Sequence, residues 1–129
     1  MANSQDFAQV NNVIQDYFDG LYLADTSRLA KVFHPDARYV KISDTEYMNK
    51  SLSEYFAMVD RRIPPARTSD PREDRIFSIE FGGSKMAFVR ASMTMMDQNY
   101  LDFLTLSHDS HGWRIMTKVF TYVPKTKEA

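Results

Sequence analysis

The amino-acid sequence predicts a single α+β domain over residues 1–129, with helices packed on one face of a curved antiparallel sheet. In the first half of the chain, apolar residues recur at spacings of three and four, which is typical of amphipathic helices. In the second half, segments rich in β-forming residues follow one another between short polar turns, as in an antiparallel meander. A chain of 129 residues is also long enough to bury a sizeable core.

The first helix is predicted over residues 7–21, where the apolar side chains share one face. Ser4 is the candidate N-cap, and Gly20 lies near the end, where helices often stop. A short second helix is expected to follow, capped by Asp25 or Thr26.

The stretch VFHPDARYV, residues 32–40, raises the first functional question. His34 and Asp36 lie on either side of Pro35 and could form a catalytic or metal-binding pair. A residue before proline is pushed out of the α conformation, so His34 is predicted to end the second helix. The residues after Pro35 favour a strand. A helix-to-strand corner therefore accounts for all three residues and is the favoured interpretation.

The remaining elements follow from capping and turn signals. Ser51 and Glu54 have the spacing of a capping box and begin a third helix. Paired prolines make RRIPPARTSDPREDR a predicted loop. The later strands are RIFSIEF, KMAFVRASMTMM, YLDFLTLS and WRIMTKVFTYV, joined by the turns GGS, DQN and HDSHG.

Composition excludes several classes of protein. Sixteen basic and seventeen acidic residues give a net charge of -1, so no basic field is available for nucleic acid. The absence of cysteine excludes disulfides, thiolate zinc sites and a cysteine nucleophile. No apolar run approaches the ~18 residues that cross a bilayer, and the polar N-terminus does not read as a signal peptide. We expect a cytoplasmic protein that binds neither nucleic acid nor membrane.

Motifs for cofactors and metals are not apparent in the sequence. No glycine-rich phosphate loop or helical zinc motif is present, so no cofactor is predicted. His108 and His111 flank Asp109, but the residues around them are those that a polar turn requires. We therefore interpret this segment as a turn and predict no metal site.

Two segments resemble the nuclear transport factor 2-like superfamily, also called cystatin-like or SnoaL-like. YFDGLYLADTSRLAKVFHPDARYV resembles its helix pair leading into the first strand, and YLDFLTLSHDSHGWRIMTKVFTYV resembles its closing hairpin. The resemblance spans nearly the whole chain and is greatest to small bacterial proteins labelled "putative lumazine-binding". It implies a cone-shaped sheet packed against three N-terminal helices, with a pocket between them.

The resemblance also implies where chemistry would lie. Ketosteroid isomerases of this superfamily use a helix tyrosine and a protonated aspartic acid as an oxyanion hole, with a strand aspartate as base. On this sequence the tyrosine falls on Tyr17, the base on Lys41 and the acid on Gln98. Only the tyrosine matches, so steroid isomerisation of that kind is not expected, although a desolvated lysine can act as a base.

Alternation in QNYLDFLTL adds candidates from the residues themselves. It places Gln98, Tyr100 and Asp102 on one strand face. If that face is buried, Asp102 is an acid-base candidate, or it simply accepts a hydrogen bond from Tyr17. Arg90 could reach the same cavity or lie on the opposite face. The ligand-binding candidates are Tyr17, Gln98, Tyr100, Asp102 and Arg90, and the catalytic candidates are Asp102, Tyr17 and Lys41.

Three functions stay open at this point. The first is a protein that binds a small apolar or aromatic molecule, and the second is a lyase, isomerase or cyclase that uses acid-base residues in the pocket. The third is a non-catalytic dimerisation module. KMAFVRASMTMM and WRIMTKVFTYV carry bulky apolar groups on both faces, whereas helices cover only one face. We therefore expect a homodimer that packs sheet to sheet.

Overall fold

A six-stranded sheet dominates the computed structural model, which describes residues 3–124. The elements are α1 (Ser4–Leu23), α2 (Thr26–Leu29), β1 (Phe33–Ile42), β2 (Tyr47–Ser51), α3 (Leu52–Asp60), a 3-10 turn (Pro65–Thr68), β3 (Glu73–Gly82), β4 (Met86–Met95), β5 (Gln98–Asp109) and β6 (Gly112–Pro124). The strand order is β2-β1-β6-β5-β4-β3. This confirms the predicted α+β fold with a curved sheet. The sheet is mixed rather than wholly antiparallel, because β1 runs parallel to β6.

The N-cap of helix α1 lies one residue earlier than predicted. Asn3, and not Ser4, is the N-cap: its side chain accepts a hydrogen bond from the Asp6 amide, and the Asp6 carboxylate accepts one from the Asn3 amide. This reciprocal pair satisfies two amides that the first turn would otherwise leave free. The predicted capping box of Ser51 and Glu54 at the start of α3 is confirmed.

Gly20 does not terminate α1, which continues to Leu23 and ends where Ala24 adopts a left-handed conformation with φ of 47°. Gly20 instead allows α1 and α2 to pack closely. A Cβ at this position would lie 2.7 Å from Leu29 Cδ2. The glycine is therefore a packing requirement between the first two helices.

The prediction that His34 ends the second helix is wrong. Helix α2 ends at Leu29, and β1 already begins at Phe33. The register between β1 and β6 shifts between Phe33 and Arg38, so the residues between them lie outside the regular ladder. Pro35, which has no amide hydrogen to donate, is tolerated there. His34 and its neighbours therefore form an irregular strand start.

The helices cover one face of the sheet, and the core lies between them. The buried residues of α1 include Val10, Ile14, Tyr17 and Phe18, and they pack in one cluster with the inward residues of the sheet, among them Val89, Leu104, Leu106 and Ile115. Along β5 the buried residues alternate strictly, as predicted. The outer face of the sheet is left without a covering layer in the part of the chain described here.

Strand β6 changes phase at Met116. Thr105 and Leu106 are adjacent on β5, but they pair with Thr117 and Ile115, which leaves Met116 as an extra residue. A bulge of this kind reverses which side chains face inward. Before it, Ile115 faces the core, and after it, Lys118 does so. The bulge thus places a lysine on the inner face.

Candidate functional site

Tyr17 and Asp102 form a buried hydrogen bond between α1 and β5. The Tyr17 hydroxyl donates to Asp102 Oδ2 at 2.5 Å, and both side chains are buried. Burial, reinforced by the nearby Asp102 carboxylate, raises the pKa of Tyr17 well above its ordinary value. The tyrosine therefore keeps its proton at neutral pH and acts as a donor. The predicted contact between these two residues is confirmed.

The second oxygen of Asp102 is available for another contact. Oδ1 is buried and has no hydrogen-bond partner among the described residues, although Asp102 lines a cavity. The same is true of the side-chain oxygen Oε1 of Gln98, which lies four residues earlier on the same face of β5. A buried acceptor without a donor is unfavourable by about 1–3 kcal/mol. Two such acceptors on one cavity wall suit a ligand that carries hydrogen-bond donors.

Lys118 lies beside this pair inside a cage of aromatic rings. Its side chain is 5% exposed. Nζ lies over the rings of Phe120 at 4.6 Å, Tyr17 at 5.1 Å, Tyr55 at 5.3 Å and Tyr39 at 5.5 Å from their centroids. Aromatic faces attract a cation in this arrangement.

The cage does not replace the water that Lys118 loses on burial. Its one hydrogen bond in the described structure is a long contact of 3.5 Å to the Tyr55 hydroxyl, and Lys118 forms no ion pair within residues 3–124. Burial lowers the pKa of Lys118, and the charge of Asp102 only partly opposes that effect. The site therefore favours a neutral amine more than a surface position would.

The cavity between the sheet and the helix layer has a volume of about 150 Å³. Its polar lining residues are Lys41, Arg62, Gln98, Asp102 and Lys118. Its aromatic lining residues are Tyr39, Tyr100, Phe120 and Tyr122, and its flexible lining residues are Met93, Met95 and Met96. Burial raises the pKa of Tyr100 to about 12, so this phenol is neutral at pH 7. An apolar wall with a few convergent polar groups is the usual character of a small-molecule site.

One family matches nearly the whole of this architecture. The model of the family described as "Putative lumazine-binding" matches residues 5–121. The chain belongs to this family. No curated protein matches the chain.

Solved structures described as NTF2-like or as having a cystatin-like fold share the fold of this chain. An NTF2-like protein of unknown function from Silicibacter pomeroyi is 21% identical, with a TM-score of 0.79 over 95% of this chain and 100% of that chain. An NTF2-like protein from Shewanella baltica is 18% identical, with a TM-score of 0.83 over 96% and 98%. A ketosteroid isomerase-like protein from Erwinia carotovora atroseptica is 12% identical, with a TM-score of 0.72 over 94% and 98%. At these identities the similarity shows the fold alone.

The structure brings most, but not all, of the residues predicted from the sequence to the cavity. Gln98, Tyr100 and Asp102 all line the cavity. Tyr17 was predicted to face it but does not line it, and is connected to it only by its hydrogen bond to Asp102. Lys41 also lines it, but its Nζ is paired with Glu46 at 2.8 Å. The residue that contacts the helix tyrosine is Asp102, whereas the resemblance to ketosteroid isomerases had placed the acid at Gln98. Their roles in binding or catalysis stay predictions.

The assignment of Arg90 to the cavity is corrected. Its side chain is exposed, and Cζ lies 5.9 Å from the ring of Phe103 on the outer face of the sheet. The neighbouring Val89 and Ala91 are the residues of β4 that face the core. Alternation along the strand therefore directs Arg90 away from the cavity.

Two charged lining residues, Lys118 and Arg62, were missed by the sequence reasoning. Lys118 escaped notice because alternation counted forward from Trp113 places it outward, and only the bulge at Met116 reverses this. Counting backward from Tyr122, which also lines the cavity, would have included it. Arg62 follows α3 in a segment with no periodic pattern, so no local signal points to it.

The histidine segments lie apart from this site. His34 Nδ1 accepts a hydrogen bond from the Asp36 amide at 3.0 Å, and the Asp36 side chain is largely exposed. His111 and Asp109 lie in the exposed β5–β6 turn. Across residues 3–124, no three histidine, aspartate or glutamate side chains come together as a metal site. Over the same span, no helix is long and apolar enough to cross a membrane.

Proposed function

We propose that the protein binds a small planar molecule with carbonyl and N–H groups in the cavity beside Asp102. The observation that carries the proposal is that two cavity-lining residues, Asp102 and Gln98, each have a buried oxygen without a hydrogen-bond partner among residues 3–124. Asp102 Oδ1 and Gln98 Oε1 would accept hydrogen bonds from the ligand, and Lys118 would donate to a carbonyl oxygen. Buried polar groups are normally satisfied, so a complementary ligand would offset their desolvation.

The other walls support a flat, partly apolar ligand. Tyr100 and Tyr122 pack with ring centroids 5.8 Å apart at the cavity, and Phe120 lies 6.1 Å from Tyr100. Aromatic walls favour stacking against planar rings. Lumazine, which the family description names, is a planar bicyclic molecule with both carbonyl and N–H groups. The chemistry of the site is consistent with that class of ligand.

Size sets a further limit on the ligand. An engineered cavity of about 150 Å³ in another protein holds a single benzene ring. A bicyclic ligand would therefore have to extend toward the mouth of this cavity or displace part of its wall. Met93, Met95 and Met96 line that wall, and methionine adapts readily because its side chain is unbranched and flexible. We expect single-ring compounds to enter with less rearrangement than bicyclic ones.

Isothermal titration calorimetry with lumazine and uracil tests this function. Uracil carries the same carbonyl and N–H pattern on one ring. We expect at least one of the two to bind the wild type, with affinity reduced about tenfold or more in Asp102→Asn and in Gln98→Leu, because each removes an acceptor. Arg90→Ala is the matched control and should bind like the wild type. No binding of either compound at millimolar concentration, or unchanged affinity in Asp102→Asn, would contradict the proposal.

A second function, acid-base catalysis by a lyase, isomerase or cyclase, is favoured by the Tyr17–Asp102 pair. A carboxylate with one free oxygen can take a proton from carbon next to a carbonyl, and a neighbouring phenol can support it by hydrogen bonding. Lys41 would serve only if it left Glu46. We expect the wild type to accelerate exchange of the α-protons of cyclohexanone for deuterium, measured by NMR, and Asp102→Asn to lose about 100-fold of that rate. Exchange at the buffer rate in the wild type would exclude this role.

The homodimer is also a proposal, supported by the outer face of the sheet. Exposed apolar side chains there include Ile42, Phe77, Leu101, Phe103 and Val123. A groove of about 310 Å³ runs between several of them. Exposed apolar patches of this kind commonly mark protein interfaces. If the cavity takes no ligand, this face supports the third function, a non-catalytic dimerisation module. A cytoplasmic location stays a prediction from the sequence.

A further inference from the structure

We infer that Lys118 is an amine nucleophile that forms an imine with an aldehyde or ketone group of a ligand in the cavity. Imine formation rests on the proposed function, because the carbonyl compound must first enter the cavity. Beyond binding, Lys118 would perform a covalent step, and aldehydes and ketones are the compounds that would react.

The position of Lys118 is the first support. A lysine is rarely buried without an ion pair, because its ammonium group is strongly hydrated. Lys118 is nevertheless buried, lines the cavity, and has no ion pair among residues 3–124. Its Nζ lies over the rings of Tyr39 and Phe120, which belong to the neighbouring strand β1 and to β6 itself. An amine presented in this way has few alternative contacts to break before it reacts.

Burial and the charged groups on several neighbouring elements change the pKa of Lys118. Burial has the largest effect and lowers its pKa, and the positive charges of Arg62 and Lys41 act in the same direction. Asp102 on β5 and Tyr39 on β1 oppose the change. The remaining titratable groups that face Nζ are the phenols of Tyr17 and Tyr55, which are neutral at pH 7 because burial raises their pKa values. The net effect is a lowered pKa, so a larger fraction of Lys118 is the reactive free amine than of a lysine at the surface.

Lys41 shows by contrast why Lys118 is the candidate. Both lysines line the cavity, but Lys41 Nζ is 2.8 Å from a carboxylate oxygen of Glu46. An ion pair requires the ammonium form, which has no lone pair to attack a carbonyl carbon. Lys118 has no such partner within the described chain. The two lysines therefore differ in whether Nζ is paired with a carboxylate, and that pairing decides whether the amine can react.

The chemistry balances without an oxidant or reductant. The Nζ lone pair of Lys118 attacks the carbonyl carbon, a C–N bond forms, and one amine proton moves to the carbonyl oxygen. The resulting hydroxyl then leaves with the second amine hydrogen as water, and the C=N bond of the imine forms. Asp102 Oδ1, which has no partner among residues 3–124, and the Tyr55 hydroxyl, 3.5 Å from Nζ, are the candidates to carry protons between nitrogen and oxygen.

Reductive trapping tests this assignment. We would incubate the wild-type protein at neutral pH with benzaldehyde, whose single ring suits the cavity, and sodium cyanoborohydride, which reduces an imine to a stable amine. Peptide mapping by mass spectrometry would locate each benzyl group and separate Lys118 from the terminal amine. We expect Lys118 to be modified at least about tenfold faster than the exposed Lys31 and Lys85, because a larger fraction of it is free amine. Modification at the same rate as these surface lysines would overturn the inference.

Variants and a non-reactive probe complete the test. Lys118→Met should lose the rapid modification, and Lys31→Met, the matched surface control, should retain it. If Lys118→Met does not fold, the comparison of lysines within the wild type still decides. Benzamide has the same ring but cannot form an imine, so its binding, measured by calorimetry, reports on the cavity alone. Benzamide binding without rapid trapping at Lys118 would overturn the imine and leave the proposed function standing. If benzamide does not bind and Lys118 is not trapped rapidly, both the imine and the proposed function are overturned.

Discussion

At the residue scale, the hydrogen bond between Tyr17 and Asp102 has a measurable energy. In the wild type the Tyr17 hydroxyl donates to Asp102 Oδ2 at 2.5 Å, and Oδ1 already has no partner in the described structure. Tyr17→Phe removes the donor and therefore leaves both carboxyl oxygens without a partner there. We expect a loss of about 1–3 kcal/mol in the free energy of unfolding, measured with urea. Tyr47→Phe, on an exposed tyrosine, is the matched control and should change stability by less than about 0.5 kcal/mol.

A double-mutant cycle separates this bond from simple packing. Asp102→Asn retains an acceptor for the Tyr17 hydroxyl, so its own cost should be smaller than that of Tyr17→Phe. The combined variant should show a coupling energy of at least about 0.5 kcal/mol, because the two groups are in contact. Additive losses would show that the Asp102 carboxylate stabilises the Tyr17 hydroxyl no more than a neutral amide acceptor does.

Also at the residue scale, buried Lys118 makes stability depend on pH. Its pKa in the folded protein lies below the value of about 10.4 that it has in an unfolded chain. Between these two values the unfolded chain holds a proton that the folded chain has released, so the wild type gains stability as pH rises. The cost of burial is fully present below the lowered pKa and is gone above about pH 10.4.

Lys118→Met removes this dependence. The free energy of unfolding of the wild type should therefore improve relative to the variant as pH rises from about 7 to about 10, by at most about 1.4 kcal/mol per pH unit. Urea unfolding at several pH values measures the difference. Lys31→Met, on an exposed lysine, should run parallel to the wild type. Parallel curves for Lys118→Met would mean that the lysine titrates normally.

At the scale of the element, the bulge at Met116 allows both halves of β6 to direct side chains into the core. Deleting Met116 would restore regular pairing with β5 and turn either Trp113 and Ile115 or Lys118 and Phe120 to the outer face. Loss of a buried aromatic residue costs about 3–5 kcal/mol, so we expect the deletion to melt far below the wild type or not to fold. Met116→Ala keeps the extra residue and should melt much closer to the wild type by circular dichroism. Similar melting of the two variants would show that the bulge is dispensable.

Strands β5 and β6 show where prediction from the sequence succeeds and where it fails. Alternation placed Gln98, Tyr100 and Asp102 correctly because β5 is regular along its inner residues. It misplaced Lys118 because the bulge at Met116 arises from the pairing of β6 with β5. The residue pattern of β6 alone does not reveal how that strand pairs. The parallel pairing of β1 with β6 joins distant parts of the chain, so the prediction of an antiparallel sheet missed it.

At the scale of the whole molecule, the uncovered outer face predicts association. Phe103 is 42% exposed at the centre of that face and packs with Phe88 at a centroid distance of 5.7 Å. Phe103→Glu would place a charge in the proposed interface, where burial without a partner is costly. We expect a dimer for the wild type and a monomer for Phe103→Glu by light scattering at micromolar concentration. Phe7→Glu alters an exposed residue on α1 and should stay dimeric. A monomeric wild type would refute sheet-to-sheet packing.

Three thioethers in one cavity wall make the binding site sensitive to oxidation. Met93 and Met95 are buried, whereas Met96 is partly exposed at the hairpin turn, where an oxidant would meet it first. Conversion to the sulfoxide turns a flexible apolar side chain into a polar one. In a cavity of about 150 Å³, one such oxygen would occupy part of the volume that the proposed ligand requires. Mild peroxide treatment should therefore weaken ligand binding in the wild type more than in Met96→Leu, and equal loss in both would place the damage elsewhere.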